Sequence, residues 1–156
     1  MATDFRFDPE QRLVVTCYWG EVRTADVATV RRARELDAGL AAAGAHLVDA
    51  TGITNLELSA PETREVASYV TNGKDGTSRL PTAIIASSDV VFGMGRMFGL
   101  RVEVLRDSEQ IRVFRTWEEA ACWLQLDLAG ARALAEAMRA GPGLPVADLE
   151  GTHDLA

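Results

Sequence analysis

The chain has 156 residues, 16 basic and 23 acidic, with a formal net charge of −7 and 47% hydrophobic residues. That length and apolar content suit one globular domain that buries a core without metals or disulfides, and the negative balance argues against non-specific attraction to nucleic acid or an anionic membrane. No apolar run approaches the ~18 residues of a membrane span, Met1 to Arg6 lack the basic-then-apolar pattern of a secretion signal, and Cys17 and Cys122 fall in no motif, so a cytoplasmic location is expected. Fifteen of the basic residues are Arg and one, Lys74, is Lys. Arg suits bidentate anion recognition, but these are scattered along an Ala-rich chain, as a compositional bias would leave them.

In chain order, Phe5 and Phe7 before Asp8-Pro9 predict a short strand and a turn. The β-branched and aromatic run Arg12 to Trp19 predicts a second strand, joined to the first as an antiparallel hairpin and closed by Gly20. Thr24, with Asp26 behind it, reads as the cap of a helix carrying Val30, Ala33, Leu36 and Leu40 on its apolar face and ending at Gly44, with Arg31, Arg32, Glu35 and Asp37 facing water. His46 to Ala50 predicts a short third strand. Ser59-Ala60-Pro61-Glu62 is a capping box that opens a helix running to about Thr71, and Asn72 to Ser78 is a loop.

Pro81 to Ser87 is continuously apolar, as a strand buried on both faces of a parallel sheet would be. Val91, Met94, Phe98, Val102 and Leu105 then recur at helical spacing, interrupted by Gly93, Gly95 and Gly99. A helix to about Leu105 is expected, with a hairpin of Leu100–Val104 and Ile111–Phe114 as the rival. Ile111 to Phe114 is the last strand. Thr116 to Glu119 is a second capping box, and Trp117, Ala121, Leu124 and Leu128 form one stripe of the helix it opens, extended by Ala129 to Met138. The expected product is one α/β domain over residues 1–140, a single mixed, mostly parallel sheet of about five strands with helices packed on it, in the order β-β-α-β-α-β-α-β-α. Residues 141–156, with sparse apolar residues and no periodicity, are expected to be a flexible tail.

This order resembles the STAS fold of bacterial anti-sigma-factor antagonists. Leu47-Val48-Asp49-Ala50-Thr51-Gly52-Ile53-Thr54 resembles that family's strand-loop segment. Phe92 to Phe98, with Val113-Phe114-Arg115 and Glu119 to Leu124, is similar to a poorly characterised, sporulation-antagonist-like branch of it, so the likeness spans about residues 5 to 127. The resemblance implies a protein-interaction module that works without catalysis, with an anti-sigma-factor-like partner. In signalling members Asp-Ser-Ser-Gly opens the helix after the third strand and a kinase modifies the first Ser. In register from Asp49 this chain has Glu57-Leu58-Ser59-Ala60, so Leu58 stands at the acceptor position and the usual phosphoserine switch is not expected.

Open α/β sheets bind ligands beyond the C-terminal ends of their parallel strands. That edge would gather Asp49, Thr51, Ser87, Ser88, Asp89, Arg115 and Thr116, either as a polar site or as structural groups in which Asp49 holds loop amides and Ser88 and Thr116 cap helices. The glycines at 93, 95 and 99 miss the dinucleotide fingerprint, because Phe98 stands where its third glycine belongs; close packing of the helix explains them better. Arg96 among Met94, Met97 and Phe98 could hold an anion across an interface or simply snorkel to water, and the apolar neighbours could be contact surface or core. Cys17 and Cys122 read as buried and inert. Two histidines, His46 and His153, offer no nucleophile pair and no metal-ligand spacing. No cofactor is expected. The expected function is a regulatory, homodimeric interaction module without enzymatic activity, using Asp49, Thr51, Ser59, Ser88 and Arg96; the alternative is a small-ligand domain for an apolar or anionic molecule at the strand-end edge.

Overall fold

The computed structural model describes residues 2–59, 61–66, 80–106 and 110–145, with backbone alone at 104–106. Five strands form one sheet in sequence order: β1 Ala2–Asp8, β2 Leu13–Arg23, β3 Ala45–Glu57, β4 Thr82–Ile85 and β5 Ile111–Phe114. β1 is antiparallel to β2 and every later pair is parallel, as expected for a hairpin followed by helical crossovers. The helices are α1 Thr24–Glu35, α2 over residues 61–66, α3 Asp89–Arg106, α4 Trp117–Leu124 and α5 Leu128–Arg139. Each parallel strand lies beside its predecessor, and α1, α2 and α3 lie on the same face of the sheet, where residues of all three line one pocket. The chain leaves β5 and returns as α4 and α5 across the other.

The α4/α5 face is the dry core. Leu13, Val15, Cys17, Leu47, Ala83 and Ile85 point into it with no exposed surface, against Trp117, Ala120, Ala131, Ala135 and Met138. Ala131, Ala135 and Met138 recur at i, i+4 and i+7, and the two alanines let α5 lie close over β2; the Cys17 thiol sits 3.9 Å from the Ala135 carbonyl oxygen. Fully burying a Leu, Ile or Val side chain stabilises by about 1.5–3 kcal/mol, so this cluster is the main store of stability.

Several elements differ from the sequence reading. β3 runs for 13 residues, not five, because β2 continues alongside it as far as Arg23 opposite Glu57, past two register shifts, between Cys17 and Trp19 and between Gly20 and Glu21, at each of which β3 holds one extra residue. Since β4 has four residues, this two-stranded ribbon projects beyond the rest of the sheet. α1 stops at Glu35: the Asp37 carboxylate accepts from the Gly39 amide at 2.9 Å and opens a 3-10 turn, Ala38–Ala42, that tucks Leu40 against Val14, Phe5 and Phe7. Arg23, not Thr24, is its N-cap; the Asp26 carboxylate accepts from the Arg23 amide at 2.9 Å, and the Thr24 hydroxyl donates to Glu62 on α2. α4 and α5 are separate helices, broken where Gln125 turns left-handed (φ +57°) and Leu126 donates back to the Ala121 carbonyl at 2.9 Å. α3 is helical through Arg106, so the rival hairpin is not formed. A Cβ on Gly95 would lie 3.2 Å from Val113 and one on Gly99 3.3 Å from the Ile111 carbonyl oxygen, so the two glycines let α3 lie on β5 without its neighbours giving way.

Of the expected tail, residues 141–145 are described, and they run along β1: the Leu144 amide donates to the Thr3 carbonyl at 2.7 Å. The expectations for residues 67–79, for the rest of the tail and for His153 lie outside the described residues.

Candidate functional site

The α1/α2/α3 face of the sheet is hollow. From β2 and β3, Tyr18, Val48 and Ala50 form its floor. The projecting ribbon supplies a roof of Val22, Ile53 and Leu56, and α3 closes the side with Val91, Met94, Phe98 and Val102. Leu58 and α2 contribute the wall between them, through Thr63 and Val66. The pocket they form is partly open to solvent and has a volume of about 170 Å³. Interiors normally leave few voids larger than a water molecule. The roof and floor come from residues that strand alternation turns away from the packed core: Val48 is inward here while its neighbours Leu47 and Asp49 face α4 and α5.

Polar groups gather at the N-terminal ends of the strands. His46, Thr82 and Gln110 line the cavity there, together with Arg31 and Arg34 from the last turns of α1. Arg34 is buried, 7% exposed, and its Nη1 donates to the Thr16 hydroxyl at 3.1 Å; that hydroxyl lies 2.8 Å from His46 Nε2. Arg31 pairs with Glu35 at 3.1 Å. The sequence reading placed Arg31 in water and gave Arg34 no role. Their signal was present: Val27, Val30, Arg31 and Arg34 fall at i, i+3, i+4 and i+7, one helical face.

The residues singled out at the strand-end edge lie elsewhere and do not form one cluster. Asp49 is fully buried on the packed face, where Arg139 of α5 reaches its Oδ2 at 3.4 Å and the Thr51 amide and hydroxyl donate to its Oδ1 at 3.0 and 2.6 Å. Ser59 is exposed and accepts from the Glu62 amide at 3.2 Å, and Ser88, also exposed, accepts from the Val91 amide at 3.3 Å, so both cap helices. Arg115 stacks 4.0 Å above the Phe92 ring, pairs with Asp89 at 2.9 Å and donates to the Ser87 carbonyl. Arg96 is exposed on α3, whereas Met94 and Phe98 turn into the cavity. Cys122 is exposed, contrary to expectation, because it lies on the outer side of α4 from Ala120 and Ala121. Cys17 is buried, and burial, with the nearby Asp49 carboxylate, pushes its thiol up, away from the reactive thiolate. Among the described residues, no three His, Cys, Asp or Glu side chains are grouped to hold a metal ion, and no helix is long and apolar enough to cross a membrane.

Neither protein-family models nor curated proteins match the sequence. Among solved structures the fold has a counterpart: an uncharacterised protein of the DUF3478 family from Shewanella loihica PV-4, described as having a SpoIIAA-like fold, aligns with a TM-score of 0.50 and 16% identity over 79% of this chain and 93% of its own. This chain therefore has a SpoIIAA-like fold.

Proposed function

We propose that this chain is a regulatory binding module without enzymatic activity, switched by an apolar small molecule held in the hollow face of its sheet. The observation that carries this reading is the place of Leu58. By the family resemblance it occupies the position where signalling antagonists accept a phosphate, a reaction that a leucine without a hydroxyl cannot undergo. Its side chain lines the cavity instead, one residue before Ser59, which caps α2. An occupant packing on Leu58 and Val66 would favour one arrangement of the α2 entry, and only such a difference in contacts can shift a conformational equilibrium. The exposed surface around Ser59 is then the docking surface for a protein partner, and a homodimer is part of the same reading.

Toluene is a suitable first probe, since a cavity of about 150 Å³ accommodates benzene. Saturable binding with a rise in Tm, and amide shifts in the 58–66 segment, are expected. Val48→Phe, which fills the floor, should abolish both. Saturating toluene that leaves Tm and these amides unmoved would refute the ligand switch. Light scattering tests the dimer separately: a strict monomer at high concentration removes it.

A further inference from the structure

Resting on the homodimer in that reading, we propose that two copies of this chain pair through the outer face of α3, the two helices antiparallel and Arg96 of each meeting Glu103 of the other. Three observations carry this. The first is exposure. The inner face of α3 lines the hollow through Val91, Met94, Phe98 and Val102. On the opposite face Val90 and Leu100 are 69% and 57% exposed, two of the three exposed large apolar side chains among the described residues. Half-buried Met97 lies between them.

The second is spacing. Val90, Gly93, Met97 and Leu100 follow one another at intervals of three, four and three residues, the spacing by which one helix seats another. A Cβ on Gly93 would meet nothing within 4 Å. Glycine weakens a helix relative to alanine. Gly95 and Gly99 let α3 approach β5, but nothing in the fold itself calls for glycine at 93. There it bares the backbone where a second helix can come close.

The third is charge. Arg96, Arg101 and Glu103 flank the stripe and are exposed. The positions three and four residues from Arg96 are Phe92, Gly93, Gly99 and Leu100, so its neighbours along α3 offer its guanidinium no carboxylate. A two-fold axis midway between Phe98 and Gly99, with the helices antiparallel, sets Met97 against Leu100 of the partner subunit and Arg96 against Glu103 of the partner subunit, each contact made twice. A parallel pair would instead set Arg96 against Arg101 of the partner subunit. Charge therefore selects the antiparallel arrangement. α3 has 18 residues and is about 27 Å long. One such helix buries less than the roughly 800 Å² per partner of standard complexes, so the dimer should dissociate at micromolar concentration.

The test is sedimentation equilibrium of the full chain, in which a monomer–dimer equilibrium is expected. Leu100→Lys, at an exposed site facing Arg96 and Arg101 of the partner subunit, should weaken it roughly tenfold with the circular dichroism unchanged. Arg96→Glu should weaken it about fivefold by opposing Glu103 of the partner subunit, and adding Glu103→Arg should restore it to within about twofold. Toluene binding, on the inner face, should survive all of these changes. A strict monomer at millimolar concentration overturns both the homodimer and this surface. A dimer that Leu100→Lys leaves intact overturns the α3 surface and leaves the homodimer standing. Tightening by Arg96→Glu overturns the antiparallel orientation.

Discussion

The two faces of one sheet have been built to opposite specifications. On the α4/α5 side, alternate residues of β2, β3 and β4 have no exposed surface and meet small residues on the helices, so atoms fill the layer. On the other side, the intervening residues of the same strands meet α1, α2 and α3 across a hollow of about 170 Å³. Hydrophobicity does not separate them, since both are lined by Val, Leu, Ile and aromatic side chains. What differs is fit. A close-packed face supplies stability and rigidity, whereas an apolar hollow forgoes dispersion contacts that a guest can restore. Stability is concentrated on the filled face, and the proposed recognition falls on the other.

Adjacent residues of β3 offer the sharpest test, because Leu47 and Val48 belong to different faces. Leu47→Ala should cost about 2–5 kcal/mol in denaturant unfolding, as large-to-small changes in packed cores do. Val48→Ala enlarges a space that already exists and should cost less than about 1 kcal/mol. Equal losses at the two positions would break the distinction.

Asp49→Ala should come next. It removes the carboxylate that joins β3 to Arg139 and Thr51 on the packed face, and losing such buried hydrogen bonds costs about 1–3 kcal/mol. A neutral effect would show that α5 is held by its apolar stripe alone. Deleting residues 141–156 should cost about 1 kcal/mol, since the bond from the Leu144 amide to Thr3 on the outer edge of β1 is lost; an unchanged Tm would return this stretch to the flexible tail that its composition suggests.

The two thiols measure the tightness of the packed face directly. Under native conditions a thiol reagent should modify Cys122 and spare Cys17, with both reacting after unfolding. Rapid native labelling of Cys17 would mean that the packed face opens readily. The sign of the pH effect follows from the same burial. The thiol's pKa is raised in the folded state, so above its ordinary value of 9.0 the unfolded chain releases the proton first. Stability is therefore fully present below that pH and declines as pH rises beyond it.

Much of the fold was legible because it depends on local signals. The N-caps at Ser59 and Thr116 formed as read, each hydroxyl accepting the amide three residues on, and Ile111–Phe114 has the expected bounds. The helical period of Val91, Met94, Phe98 and Val102 outweighed three glycines, two of which allow the close approach of α3 to β5. Illegible were the length of β3, whose Thr51-Gly52 step looks like a turn until β2 lies alongside it, and the break at Gln125, which carries no Gly or Pro. The site was harder still. Asp49, the most conspicuous polar residue in its strand, is engaged inside the core, while Arg34, on a helix rich in Arg, was given no role.

Periodicity, capping and turn chemistry act over a few residues, and they alone determined the order of the strands and helices, the antiparallel start and the parallel remainder. Which face is full and which is hollow was decided only in three dimensions. That outcome depends on how the volumes of side chains far apart in the chain add up across a gap between layers, and on where a projecting ribbon and a buried guanidinium come to rest; neither quantity belongs to any short stretch of residues.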